Sequence, residues 1–210
     1  MLEGFLNVKP EEIEKKSFEI LSEELGERSF PEFHEGIIKR VIHTTADFEY
    51  VDTLEISLDA VVSAIEALKS GGKIITDTRM AYSGIHKKTL ERLGSSVSCF
   101  IEDEVIAQKS KDLGVTRSSL CMEKAAEDRE NKIYVVGNAP TALIRICELI
   151  EEGKLQPDLV VGVPVGFVNV VESKELLRKM GVPFIISRGR KGGSNVAAAI
   201  INAIMYQVKE

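Results

Sequence analysis

The sequence predicts an α/β protein with a doubly wound, mostly parallel sheet and helices on both faces, forming a single three-layer domain over residues 1–210. Two patterns favour this class. The segments KIYVVG, LVVGVPVG and PFIISRG are nearly continuous apolar runs, which is typical of parallel strands covered on both faces. Each leads through a loop into a helix, and such alternation indicates a parallel sheet.

The predicted elements begin with two helices. The helix over 10–26 has Pro10 in its first turn, and Ser17 interrupts its apolar face. The second, over 31–42, is expected to place His43 at its end, and the segment 47–57 is expected to be extended. The remaining predicted elements are a helix over 60–72, strands over 73–78 and 96–101, a largely helical stretch over 103–127, and then the three strand–helix units.

Composition excludes several classes of protein. Apolar residues make up 44% of the 210 positions and charged residues 29%, as in a globular domain with a core. The net charge of -6 and the lack of a basic tract argue against nucleic-acid binding. No apolar run approaches the roughly 18 residues of a membrane span, and the first residues lack a signal-peptide layout, so a cytoplasmic location is expected. Three cysteines without a C-x-x-C pair predict buried thiols.

The loop at 188–194 is the first candidate binding segment, because ligands of parallel sheets bind beyond the carboxyl ends of the strands. Arg188 and Arg190 can each hold a carboxylate through two hydrogen bonds. Glycines allow a ligand to approach the backbone, and the helix start attracts anions. Ser194 could instead only cap the helix. The pattern alone does not separate phosphate from carboxylate ligands.

Three further segments could line a site. The loop 137–141, GNAPT, is either a ligand loop or only a well-formed helix start, and it matches neither a P-loop nor a dinucleotide fingerprint. The apolar loop 162–167 suits a flat apolar ligand, a packed turn or a subunit contact. Asp77 follows a predicted strand and either points into the site or caps the next segment.

His43 is the candidate acid–base residue. His34 and His86 lie among charged residues and are expected at the surface, whereas His43 follows Val41 and Ile42. A lone histidine can be structural, but an imidazole can also hold or release a proton near pH 7. One histidine with Asp47 nearby leaves a transition-metal site short of ligands.

In order, these segments resemble the precorrin-8X methylmutase family of cobalamin biosynthesis over nearly the whole chain. The resemblance depends on an ordered set of short motifs at family-like spacing: KSF at 16–18, RVIH at 40–43, TDTRM at 76–80, TRSS at 116–119, VGNAPTAL at 136–143, GVPVGFV at 162–168, ESK at 172–174, and PF at 183–184 leading to RGRKGGS at 188–194.

The resemblance implies an isomerase that moves a methyl group from C11 to C12 of precorrin-8 or cobalt-precorrin-8, giving hydrogenobyrinate or its cobalt analogue cobyrinate. It implies no cofactor and no protein-bound metal, a homodimer, a tightly bound corrinoid product, and an active site to which the helices over 10–42 contribute. His43 would donate a proton to the ring C nitrogen region, and Arg117 would hold and polarise the substrate. The other expected contacts are Ser17, Asp77, Asn138, Ala139, Pro140, Thr141, Gly166, Phe167, Glu172, Arg188, Gly189, Arg190, Gly192, Gly193 and Ser194.

Two alternatives remain open at this level. The same loops would serve a corrinoid carrier that performs no chemistry, and the glycine-containing helix starts would serve an enzyme that binds nucleotides or sugar phosphates. The resemblance also leaves open whether the substrate carries cobalt.

Overall fold

The computed structural model describes residues 8–208, which form one six-stranded sheet with helices on both faces. Residues 1–7, on which the expected lack of a signal peptide partly depends, lie outside this range. The strands are β1 (Leu54–Ile56), β2 (Lys73–Thr76), β3 (Val97–Ser98), β4 (Asn131–Val136), β5 (Leu159–Gly162) and β6 (Phe184–Ser187). Their order is β1-β6-β5-β4-β2-β3, and only the edge strand β1 pairs antiparallel, with β6.

The helices precede, connect and follow these strands. They are α1 (Ile13–Leu25), α2 (His34–Thr45), α3 (Tyr50–Thr53), α4 (Ala60–Lys69), α5 (Arg79–Gly84), α6 (Lys87–Arg92), α7 (Glu104–Leu113), α8 (Arg117–Ala126), α9 (Pro140–Glu151), α10 (Val170–Leu177) and α11 (Ser194–Tyr206). None of the helices found between residues 8 and 208 combines the length and the apolar character that crossing a bilayer would require.

Two apolar cores, one on each face, hold the layers together. Successive residues of β4 alternate between them, because side chains along a strand point to opposite faces: Ile133 and Val135 pack with α2, α4 and α11, whereas Tyr134 and Val136 pack with α8 and α9. Strands buried on both faces explain the continuous apolar runs. The predicted doubly wound, mostly parallel α/β fold is confirmed.

The strand order creates a switch point between β2 and β4. From β2 the chain moves outward to β3, returns to the other side of β2 to form β4, and continues through β5 to β6. Helices that follow neighbouring strands at such a point diverge, which leaves a crevice at the carboxyl ends. The loops after β2, β4, β5 and β6 therefore meet at one edge of the sheet.

Two predicted strands differ from the observed structure. The segment 47–57 is extended only in β1, because the Asp47 side chain accepts the Glu49 N–H in a turn (3.0 Å) and α3 follows. The predicted strand over 96–101 is reduced to β3, since the chain then turns, with the Asp103 N–H donating to the Phe100 carbonyl at 3.0 Å.

Candidate functional site

The imidazole of His43 is held by two consecutive residues of α1. Its Nδ1 lies 3.0 Å from Ser17 Oγ, and its ring stacks on Phe18 with centroids 5.0 Å apart and planes inclined by 25°. His43 stands in the last turn of α2, and Ala46, which caps the end of this helix, has a left-handed conformation. The side chain is nevertheless exposed. The ring is thus fixed on one edge and one face while remaining open to a ligand.

Arg40, one turn before His43 in α2, extends the same surface. Its guanidinium lies 4.7 Å from the Phe18 ring centroid and 5.2 Å from that of Tyr206, within cation–π range. It also pairs with Glu14 at 2.5 Å, and this hydrogen bond lowers the pKa of the Glu14 carboxyl. The arrangement ties α1, α2 and the end of α11 together around the imidazole.

His43 opens onto a cavity of about 420 Å³. One wall is formed by α11, through Asn195, Ala198, Ala199, Asn202 and Tyr206. The other lining residues come from α1, α2, the end of α5 and the turn that follows it: Glu14, Arg40, His43, Thr44, Gly84 and His86. Two residues of α11 hold His86 in place. The backbone N–H of His86 donates to Asn202 Oδ1, and the ring Nδ1 lies 3.0 Å from the Tyr206 hydroxyl. A more open hollow of about 750 Å³ along α1 shares Glu14 and Arg40 with this cavity.

Asp77 lies at the switch point, with only 1% of its surface exposed. Its carboxylate accepts the N–H groups of Gly137, Asn138 and Ala139 at 2.8–2.9 Å. Burial raises the pKa of this carboxyl, and the three N–H donors act in the opposite direction. The anion position at the start of α9 is therefore occupied by the protein's own carboxylate. The sequence left two roles open for Asp77, a position in the site or a cap for the segment that follows it. The geometry fits a cap, but the capped loop is the one after β4, not the segment after β2.

Short contacts join the loops of this edge to one another. Thr78 Oγ1 lies 2.8 Å from Ser194 Oγ. A Cβ added at Gly137 would lie 2.6 Å from Ser194 Cα, so only glycine permits this approach. Farther along, Thr141 Oγ1 contacts Thr116 Oγ1 at 2.8 Å, directly before the exposed Arg117 at the start of α8. Pro140 begins α9 as expected.

The loop after β6 carries three exposed cations, which are Arg188, Arg190 and Lys191. Arg188 donates to the carbonyl of Asp52. The Arg190 guanidinium lies 5.7 Å from the Phe167 ring centroid. The backbone carbonyl of Arg190 accepts the Gly166 N–H at 3.2 Å. Phe167 is 84% exposed, so the apolar loop after β5 projects an uncovered ring beside the cationic loop.

The structure brings some of the expected site residues together and separates others. Ser17 meets His43, Asp77 meets Asn138 and Ala139, and the loop of Gly166 and Phe167 meets that of Gly189, Arg190, Gly192 and Gly193. Arg117, Arg188 and Arg190 do not line the His43 cavity. Glu172 is exposed in the first turn of α10.

Several cavity residues escaped the sequence prediction, although a signal for them existed. Asn195, Asn202 and Tyr206 are spaced seven and four residues apart in an otherwise apolar helix, so they share one face. Arg40 shares the face of His43 three residues later. His86 is exposed, as expected of a surface residue, but it faces the same cavity as His43, a fact that no local pattern indicates.

Proteins similar to this chain are known from several organisms. The sequence model of the family described as "Precorrin-8X methylmutase" matches residues 12–207. A cobalt-precorrin-8 methylmutase of Salmonella typhimurium is 46% identical over 207 residues, covering 96% of this chain and 97% of the relative. One of Priestia megaterium is 43% identical over 199 residues, covering 95% and 88%. The solved precorrin-8x methyl mutase of Thermus thermophilus superposes with a TM-score of 0.86 at 35% identity, covering 94% and 97%.

Proposed function

This chain belongs to the precorrin-8X methylmutase family and is an isomerase of cobalamin biosynthesis, and we propose that its reaction takes place at the cavity beside His43. The observation that carries the proposal is the exposed imidazole, which is held by Ser17 and Phe18 and lines a cavity of about 420 Å³. A general acid must be accessible and oriented at once, and these contacts meet both requirements.

In the proposed step, His43 donates a proton, or a hydrogen bond, to the ring C nitrogen region of the corrinoid. Withdrawal of electron density then allows the methyl group to leave C11 and bond to C12. Because an isomer has the composition of its substrate, a proton lent by His43 must return to the enzyme or to solvent. Ser17 would keep the ring orientation constant through this exchange, so that the reacting geometry is preorganised.

The carboxyl-edge loops would hold the periphery of the macrocycle. The substrate is flat, with an apolar centre and carboxylates at its rim. Phe167 offers an apolar face, and Arg117, Arg188 and Arg190 offer guanidinium groups suited to carboxylates. Asp77 would act indirectly, by fixing the backbone of 137–139. The net charge of -6 does not oppose this, because screening over ~10 Å leaves local cations dominant.

We propose cobalt-precorrin-8 as the natural substrate, since the relatives at 46% and 43% identity are both named for it. The test supplies cobalt-precorrin-8 and precorrin-8X separately to the pure enzyme and follows corrinoid product by absorbance. We expect conversion of both, with the higher kcat/KM for the cobalt form. A higher value for precorrin-8X would overturn the substrate assignment. Binding without conversion of either would favour the carrier, and thermal stabilisation by phosphate esters alone would favour the nucleotide-binding alternative.

We further propose that the enzyme acts as a cytosolic homodimer. A tetrapyrrole with its peripheral carboxylates exceeds a drug-sized ligand, and sites of roughly 300–1,000 Å³ bury such smaller ligands. A cavity of about 420 Å³ can therefore hold only one edge of the ring, and a second subunit would cover the rest and retain the product. Light scattering is expected to give twice the chain mass of 23.2 kDa. A monomer at working concentration, or recovery with the membrane fraction, would contradict the proposal.

A further inference from the structure

Lys174 is a buried cation for which the reaction above has no use. It lies on α10 with 1% of its surface exposed. Burial lowers the pKa of its ammonium to about 8, because a charge removed from water is costly. A lysine is rarely buried in this way unless its charge is compensated.

The contacts of its ammonium all point to one segment. Lys174 Nζ donates to the carbonyls of Gly189 and Lys191, each at 2.8 Å, and to Ser187 Oγ at 3.2 Å. Ser187 Oγ itself donates to the Lys191 carbonyl at 2.7 Å. Three donors thus meet three acceptors, and every acceptor lies at the end of β6 or in the loop that follows it.

This geometry determines how the loop presents Arg190. The carbonyls before and after Arg190 are both turned inward to the ammonium, which restricts the backbone of the residue between them. Gly189, Gly192 and Gly193 have φ values of 76°, 157° and 135°, so the segment has a glycine-rich, conformationally permissive backbone that is costly to order. The buried hydrogen bonds offset that cost.

We propose that Lys174 is a positioning residue that holds the loop 188–193 so that Arg190 meets a carboxylate of the substrate. The loop's stability follows from the contacts alone; the effect on substrate binding also rests on the proposed function. Lys174 touches no reacting atom in this scheme and acts through the loop.

Limited trypsin digestion tests the positioning without any substrate. The loop contains three trypsin sites, after Arg188, Arg190 and Lys191, and mass spectrometry can assign cleavage to them. Lys174→Met keeps the apolar stem but removes the three donors, and we expect cleavage within 188–191 to rise at least about tenfold. Lys179→Met, at an exposed position just after α10, is the matched control and is expected to leave it unchanged.

Kinetics test the consequence for the substrate. For Lys174→Met we expect KM to rise about tenfold while kcat stays within about threefold, since binding is weakened and the acid at His43 is untouched. The KM effects of Lys174→Met and Arg190→Ala should not add in the double variant, because both remove the same contact. Additive effects would indicate that Lys174 acts elsewhere.

The two readouts separate the possible failures. A wild-type cleavage rate in Lys174→Met overturns the positioning role whatever the reaction is. Faster cleavage with unchanged KM overturns the link to substrate, and an inactive parent enzyme overturns the proposed function while leaving the digestion result valid. If Lys174→Met does not fold, Ser187→Ala, which removes one acceptor and one loop contact, is expected to shift cleavage in the same direction, and no shift would refute the proposal.

Discussion

Replacing His43 with alanine is expected to lower kcat for the methyl shift by about 10²–10⁴-fold, the loss typical when a general acid is removed. The side chain is exposed and packs by stacking and one hydrogen bond, so the fold should tolerate the change. The measurement is the rate of product absorbance with saturating corrinoid, together with the melting temperature. A small change in stability with a large change in kcat would locate the effect in the chemical step.

Two matched variants make the His43 result specific. His34→Ala changes a half-buried histidine at the opposite end of the same helix, outside the cavity, and should leave kcat within about threefold. Ser17→Ala removes only the hydrogen bond to the imidazole and should cost about fivefold, equivalent to about 1 kcal/mol. Near-normal turnover by His43→Ala would remove this residue from the mechanism, and an equal loss in His34→Ala would assign the effect to helix packing.

Replacing Asp77 with alanine is expected to lower stability by about 3 kcal/mol, because three N–H groups at the start of α9 would lose their common acceptor. For a chain of this size that corresponds to a fall in melting temperature of roughly 6–12 °C. Thermal unfolding followed by circular dichroism measures it directly. Activity should fall as well, since the backbone of 137–139 would no longer be held.

Asp103→Ala is the matched control for Asp77. Asp103 also accepts two backbone N–H groups, those of Val105 and Ile106, but it does so as the half-buried N-cap of α7, where it also pairs with Lys124. Loss of such a cap costs about 1 kcal/mol, because water can replace the carboxylate. If Asp77→Ala melts no lower than Asp103→Ala while KM rises sharply, Asp77 contacts the substrate rather than the loop.

Lys174 and Asp77 share a principle, although their charges are opposite. Each is a buried ionisable group that makes most of its hydrogen bonds with backbone groups of a carboxyl-edge loop. Asp77 fixes the N–H groups after β4, and Lys174 fixes the carbonyls after β6. In both loops, hydrogen bonds to a buried polar side chain add to the order that packing supplies.

The layered architecture and the positions of the loops could be predicted from the amino-acid sequence alone. Apolar periodicity is local, so strands such as β4 and helices such as α11 could be predicted from their own residues. Motifs at fixed spacing indicated the family, and through it His43 and Ser17. The short helix α3 and the truncation of β3 could not be predicted in this way, because side-chain turns and tertiary pairing overrode weak alternation.

Which of these residues are in contact depends on the packing of elements that are distant in the sequence. His86 and His43 are 43 positions apart and share a cavity because α11 packs between the elements that carry them. The sequence placed Lys174 in the ESK motif but did not indicate that its ammonium is buried, and the return of β6 beside α10 surrounds it with carbonyls. Local patterns report the period of burial along one element, whereas the partner of a buried charge depends on how distant elements pack.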